Sequence, residues 1–139
     1  MVFRKTAASP LEVELQKVAS IHGFSPKVLW QDGLQFEMEK IEAPCLAETY
    51  GDEATSIPRR IWDQIAHILA TLYECEGIEY IDITPYNFIE KDGKIWIIDF
   101  GHASYTATPA NAATPQKPEN WFLREFLIDG EHTWNPDFK

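Results

Sequence analysis

Ile57, Ile61, Ile65, Ile68, Leu69 and Leu72 recur at helical spacing between a Ser56/Pro58 start and a Gly77 stop, and this run does most to limit what the chain can fold into. Apolar side chains three and four residues apart share one face of a helix, so the segment must bury a long stripe against something else. On both sides of it the pattern changes to short extended pieces. Pro26 to Gln31 and Leu34 to Ile41 read as strands joined at Asp32-Gly33, and Asn87 to Glu90 and Lys94 to Ile98 as strands joined through Lys91-Asp92-Gly93. Asp-Gly favours a hairpin because both residues tolerate the positive φ of a tight turn. A long amphipathic helix set between hairpins predicts an α+β fold.

The remaining chain fits around this frame. Val2 to Arg4 reads as a short strand, and Ser9-Pro10 opens a helix, with Pro suited to the first turn and Ser to the cap. Leu11, Leu15, Val18 and Ala19 give that helix an apolar face, and Gly23 ends it. A short helical piece follows Pro44 as far as Tyr50, Gly51-Asp52 breaks the chain, and Ile78 to Ile81 is extended. From Ala103 to Pro118 the sequence is rich in Ala, Thr and Pro without periodicity, which predicts a loop. Its hydroxyl residues Ser104, Tyr105, Thr106, Thr108 and Thr114 are read as ordinary loop residues, with phosphorylation in cis or trans as the alternative. A last helix is expected over 119–127. Trp121, Phe122, Phe126, Leu127, Trp134 and Phe138 are expected to pack on the helix that begins after Pro58; left exposed, they would form a partner or dimer surface.

Composition narrows the function. With 139 residues, 45% of them hydrophobic, the chain can bury one core, so residues 1–139 are expected to form a single domain. Its net charge of −10 and its scattered Lys and Arg argue against a nucleic-acid partner. Cys45 and Cys75 have neither metal-ligand spacing nor a disulfide pattern and are read as buried or idle thiols, while His67 and His102 lack metal-like partners and are read as structural. No apolar run reaches membrane-spanning length and MVFRKTAASP lacks a signal-peptide core, so the expected location is the cytoplasm.

The chemistry is concentrated in Tyr80-Ile81-Asp82-Ile83-Thr84-Pro85-Tyr86-Asn87 and, after the second hairpin, Ile97-Ile98-Asp99-Phe100-Gly101. Two carboxylates and an amide fall at tight turns. Phosphoryl transfer depends on positioning and charge neutralisation, and needs a carboxylate aimed at the attacking hydroxyl together with hard oxygen ligands for magnesium. Asp82 suits the first role; Asn87 and Asp99 suit the second. Gly101 is expected to let the backbone turn sharply after the metal ligand.

D-x-x-x-x-N, a hairpin, and an apolar strand ending in D-F-G resembles the catalytic and metal loops of the protein-kinase superfamily. The wording D-I-T-P-Y-N is similar to RIO kinases and to the small KEOPS-complex kinase, with choline-kinase-like and aminoglycoside phosphotransferases close by, to which GFSPKVL is also similar. The resemblance implies a truncated protein-kinase-like fold: a small N-terminal antiparallel sheet with one helix and a hinge over 1–41, then a reduced helical C-lobe over 42–139 carrying catalytic loop 80–87 and the 99–101 motif. It further implies ATP and Mg2+ as cofactors. Asp82 would be the catalytic base, Asn87 and Asp99 the metal ligands, Lys5 the phosphate-binding lysine and Glu14 its ion-pair partner, with Glu12 one alternative register away. Met38 would be the gatekeeper, and the backbone of Glu39 and Ile41 would face adenine. No glycine-rich loop is found before Val2 or elsewhere; Phe3 stands where a small residue usually lies above adenine; and Ile81 replaces the usual Arg. The implied activity is transfer of the ATP γ-phosphoryl group to a Ser/Thr hydroxyl of a protein substrate, with homodimerisation a possible accompaniment to so small an N-lobe. The alternatives are a catalytically weak interaction module and a small-molecule phosphotransferase or ATPase.

Overall fold

The computed structural model describes residues 2–105 and Trp134; the expected helix over 119–127 and most of the expected loop lie outside them. Strand β1 (Val2–Thr6) leads to helix α1 (Pro10–Ile21), followed by β2 (Val28–Asp32) and β3 (Gln35–Glu39). These strands form an antiparallel sheet in the order β1-β3-β2. Phe3, Lys5, Phe36, Met38 and Val28 alternate with Arg4, Glu37 and Trp30 along it, so the two sets lie on opposite faces. On the outer face Arg4 bonds Glu37 at 2.6 Å and lies 5.0 Å from the Trp30 ring centroid. On the inner face Ala7, Val13, Phe36 and Met38 make a small core between sheet and α1.

Ser9 occupies the cap position of α1 in extended backbone, but its side chain makes no capping bond. The cap is made from the other end of the Ser-x-x-Glu pattern: the Glu12 carboxylate accepts the Ala8 N–H at 2.8 Å, while the Ser9 carbonyl takes the Glu12 N–H at 3.2 Å. The first hairpin also turns one residue later than Asp32-Gly33 suggests. Asp32 remains in β2, and Gly33, with φ +61, begins the turn.

Helix α2 (Leu46–Tyr50) and a 3-10 turn (Ala54–Ser56) lead into α3 (Arg59–Glu76), which Gly77 closes in the left-handed region. Ile61, Trp62, Ile65, Ile68, Leu69 and Leu72 are buried along α3, each contributing about 1.5–3 kcal/mol. They form the large core with Leu15 and Ala19 of α1, Tyr80, Phe88, Phe100 and Trp134. Trp134 meets Trp62 with ring centroids 4.5 Å apart, as expected of a C-terminal aromatic packing on this helix. Beyond α3, β4 (Ile78–Glu79) pairs with β7 (Ser104–Tyr105), so the start of the expected loop is a strand. β5 (Phe88–Lys91) and β6 (Lys94–Ile97) form the second hairpin, whose Asp92 and Gly93 both have positive φ as a two-residue type I′ turn requires. The turn after α1 is tied to this hairpin: Ile97 N–H bonds the Phe24 carbonyl at 2.8 Å and the Ser25 hydroxyl donates to the Ile97 carbonyl at 2.8 Å.

Candidate active site

The hairpin β5-β6 holds the two polar loops side by side. Asn87, which is buried, closes the first: its backbone N–H reaches the Thr84 carbonyl at 3.2 Å and its side-chain amide donates to the Asp82 carbonyl at 2.8 Å. Asp82 is thereby held at the turn, half-exposed, with its carboxylate in no hydrogen bond or ion pair to another described residue. The second loop follows β6, where the Asp99 carboxylate Oδ1 accepts the Gly101 N–H at 2.8 Å. Tyr80 joins the two. Its ring is buried between Phe88 and Phe100, and its hydroxyl donates to the Asp99 carbonyl at 2.6 Å. Burial first, and then the charges of Asp82 and Asp99, push the Tyr80 phenol well above its usual pKa, which keeps the donor protonated.

The sheet supplies a cation to the same place. Lys5 Nζ lies 2.6 Å from Glu12 Oε2 and 3.4 Å from Asp99 Oδ1. The Glu12 side chain is 2% exposed, and its Oε2 has this charge contact but no aligned hydrogen bond. Thus the carboxylate that meets Lys5 is Glu12, and Glu14 is corrected from that position. Residues two apart on a helix point about 200° away from each other, so Glu14 is exposed, near Tyr105. Its charge and a hydrogen bond raise the Tyr105 pKa, after the larger effect of burial. The Ser-x-x-Glu capping pattern was the signal that singles out Glu12.

Gly101 serves close packing rather than a sharp turn. Its φ is not positive; a Cβ there would lie 3.1 Å from Asp99 Oδ1 and 3.4 Å from Glu12 Oε1, between the two carboxylates. Along the strand end expected to face adenine, Met38 is buried, the Glu39 N–H is bound to the Lys27 carbonyl at 2.9 Å, and the Glu39 carboxylate accepts the Lys27 N–H at 3.0 Å. Ile41 gives its carbonyl to Ala43 N–H at 3.0 Å, and its own N–H has no backbone partner among the described residues. Phe3 stands opposite Met38 and is 46% exposed. The structure therefore gathers Lys5, Glu12, Asp99, Asn87 and Asp82 around the two loops, leaves Glu39 and Ile41 at the strand end, and sets Glu14 apart.

The residues present fit magnesium held jointly with phosphates. Asp99 offers a carboxylate and Asn87 an amide, and no cluster of three or more His, Cys, Asp or Glu among the described residues forms an all-protein metal cage. Mg2+ is commonly bound by one or two carboxylates with the rest of its shell from water and substrate.

A small antiparallel sheet with one helix, set over a hairpin that carries an Asp/Asn loop and a DFG loop, defines a kinase-like α+β fold of truncated type. The RIO domain family matches residues 13–114, and the chain belongs to that atypical protein-kinase-like family. Among solved structures, the Rv3197–erythromycin complex from Mycobacterium tuberculosis is similar, with a TM-score of 0.53 and 25% identity. The similarity covers 68% of this chain and 26% of that one, so the chain spans about a quarter of its neighbour's length. Comparison with curated proteins gives no match. No helix among the described residues is long and apolar enough to cross a membrane.

Proposed function

We propose that this chain is a minimal atypical kinase that transfers the γ-phosphoryl group of ATP to a Ser or Thr hydroxyl of a protein, or of itself. The observation that carries the reading is the Lys5 ammonium shared between Glu12 at 2.6 Å and Asp99 at 3.4 Å, beside a loop whose Asp82 carboxylate is unspent. A cation fixed by two carboxylates is preorganised to meet phosphate oxygens without reorganising. Asp82 accepts the proton of the attacking hydroxyl, while Asn87 and Asp99 would hold Mg2+, whose role is to neutralise charge on the β- and γ-phosphate oxygens. Tyr80 keeps both loops in register through the Asp99 carbonyl.

Incubation of the protein with γ-labelled ATP and Mg2+ tests this, with label followed on protein, on added small molecules and in released phosphate. Asp82→Ala and Asp99→Ala are each expected to lower transfer by at least about 10²-fold with the fold intact. A silent wild type with no nucleotide-induced thermal shift would favour the interaction module. A second reading, a small-molecule hydroxyl as acceptor, draws on the erythromycin bound by the similar structure; it predicts label on the small molecule and none on protein.

A further inference from the structure

Strand β1 lies at the edge of its sheet, and among the described residues no strand pairs with its other side. The ladder fixes which of its groups face outward. Ala7 N–H bonds the Leu34 carbonyl at 2.7 Å, continuing the register that sets Lys5 against Phe36 and Phe3 against Met38. Hydrogen-bonded pairs alternate along an antiparallel ladder, so Phe3 and Lys5 turn their main-chain groups toward β3 while Val2, Arg4 and Thr6 turn theirs away. Glu39 N–H, on the other side of β3, goes to the Lys27 carbonyl as that alternation requires. Open edges are ordinarily guarded by a bulge, a proline or a free charge. The other edge strand, β2, has a bulge between Val28 and Trp30. β1 keeps an unbroken register and contains no proline, and both its charges are engaged within the chain, Arg4 on Glu37 and Lys5 on Glu12 and Asp99. Val2 is 48% and Phe3 46% exposed, which leaves apolar surface on this edge.

The strand is also complementary to itself. A two-fold axis at Arg4 sets Val2 against Thr6 and Phe3 against Lys5 of the partner subunit, and uses every outward main-chain group in about six bonds. Sliding one copy by two residues leaves only Val2–Arg4 or Arg4–Thr6 paired, the latter with Lys5 opposed to Lys5. In the full register Arg4 meets Arg4, but on the outer face, where each guanidinium is held by its own Glu37 at 2.6 Å. Helix α1 does not block the approach, since it packs beneath β3 and β2, with Val13 among Phe36, Met38 and Val28 and Lys17 on Gln31.

We propose that β1 is a dimerisation edge, along which two copies of this chain join antiparallel over Val2–Thr6 into one continuous sheet. Each copy thereby lays its Phe3 beside the Lys5 of the other, the lysine that meets Glu12 and Asp99. The pairing does not depend on the kinase reading and is tested without nucleotide.

Sedimentation of the full chain from about 1 to about 300 µM is the test, and a seam this short is expected to give a dimer with a Kd of roughly tens of micromolar. Arg4→Pro removes the outward N–H at the axis and no bond to β3, so it should fold and weaken association by at least about thirtyfold. Arg4→Gln loses the same charge but keeps that N–H, and should stay within about fivefold of the wild type. Circular dichroism and thermal unfolding show whether each variant is folded. Arg4→Cys reads the register independently of Arg4→Pro. A hydrogen-bonded antiparallel pair has its Cα atoms about 5.5 Å apart, within disulfide reach, so mild oxidation should join two copies at position 4. Thr6→Cys, whose counterpart is Val2, should not join to itself. A wild type that stays monomeric to about 300 µM overturns the proposal. So does a dimer that folded Arg4→Pro and Arg4→Gln affect equally, or an Arg4→Cys that gives no more cross-link at position 4 than Thr6→Cys gives at position 6.

Discussion

The core under the N-terminal sheet and the core around α3 are built differently. The first is a thin layer, Ala7, Val13, Phe36 and Met38, with polar side chains at its edge: Lys5, Glu12 and Gln16. The second draws on α1, α2, α3 and three strands and encloses whole rings, Tyr80, Phe88 and Phe100 among them. Helix α1 serves both, giving Val13 to one and Leu15 and Ala19 to the other. The difference separates two tasks. The hairpin that carries Asp82, Asn87 and Asp99 stands on the thick core, which fixes geometry by packing, whereas Lys5 is brought in by a sheet whose place depends on a few charged and polar contacts.

The largest effect should come from removing a ring from each core. Phe88→Ala is expected to cost about 4 kcal/mol in urea unfolding, and Phe36→Ala about 3 kcal/mol. Hydrogen exchange in Phe36→Ala should accelerate first in residues 2–6 and 28–39 and later in 88–97. Uniform acceleration would show that the two cores unfold as one unit.

Next in size is the cation at the boundary. Lys5→Met leaves the buried Glu12 carboxylate uncompensated and should lower stability by about 2 kcal/mol, while Lys17→Met, whose exposed ammonium bonds Gln31 at 3.0 Å, should stay within about 0.5 kcal/mol. In the transfer assay Glu12→Gln should lose about 10²-fold and Glu14→Gln less than about twofold. Equal losses would mean that the pairing at Lys5 is not what sets the rate.

A smaller effect tests the rim of the thick core. The Tyr50 hydroxyl donates to Glu90 at 2.6 Å and Arg60 to the same carboxylate at 2.5 Å. These bonds, Tyr50's first, hold the Glu90 carboxyl below its usual pKa. A depressed folded pKa means that Glu90 contributes stability above the unfolded value of about 4.3 and loses it as pH falls through the folded value. Denaturation midpoints measured from pH 6 downward should therefore fall less steeply in Glu90→Gln, by about 1 kcal/mol or less over the whole window. Of similar size is Gly101→Ala, expected to cost less than about 1 kcal/mol because its Cβ contacts, at 3.1 and 3.4 Å, fall on side-chain oxygens able to shift a few tenths of an ångström.

Much of the fold was legible in the residue pattern. The stripe from Ile57 to Leu72, the stop at Gly77 and the two hairpins all act over a few residues, through helical spacing and turn conformation, and each appears as local chemistry puts it, the first hairpin one residue later than its Asp-Gly pair suggests. The catalytic-loop and DFG spacings likewise placed Asp82, Asn87 and Asp99 in one short stretch, because a hairpin joins them. Only the tertiary structure decided what meets what across the chain. Glu12 and Glu14 differ by two places on one helix, and only the position of the sheet turns one toward Lys5 and leaves the other in solvent. Gln16 fits any helix pattern as a polar residue; its burial against Met38 and Pro26 exists only once β2, β3 and α1 are packed. The same holds for Tyr80 reaching Asp99 and for Gly101 lying between two carboxylates. Short-range steric preferences are written in neighbouring residues, whereas a long-range contact depends on where two separately specified elements come to rest.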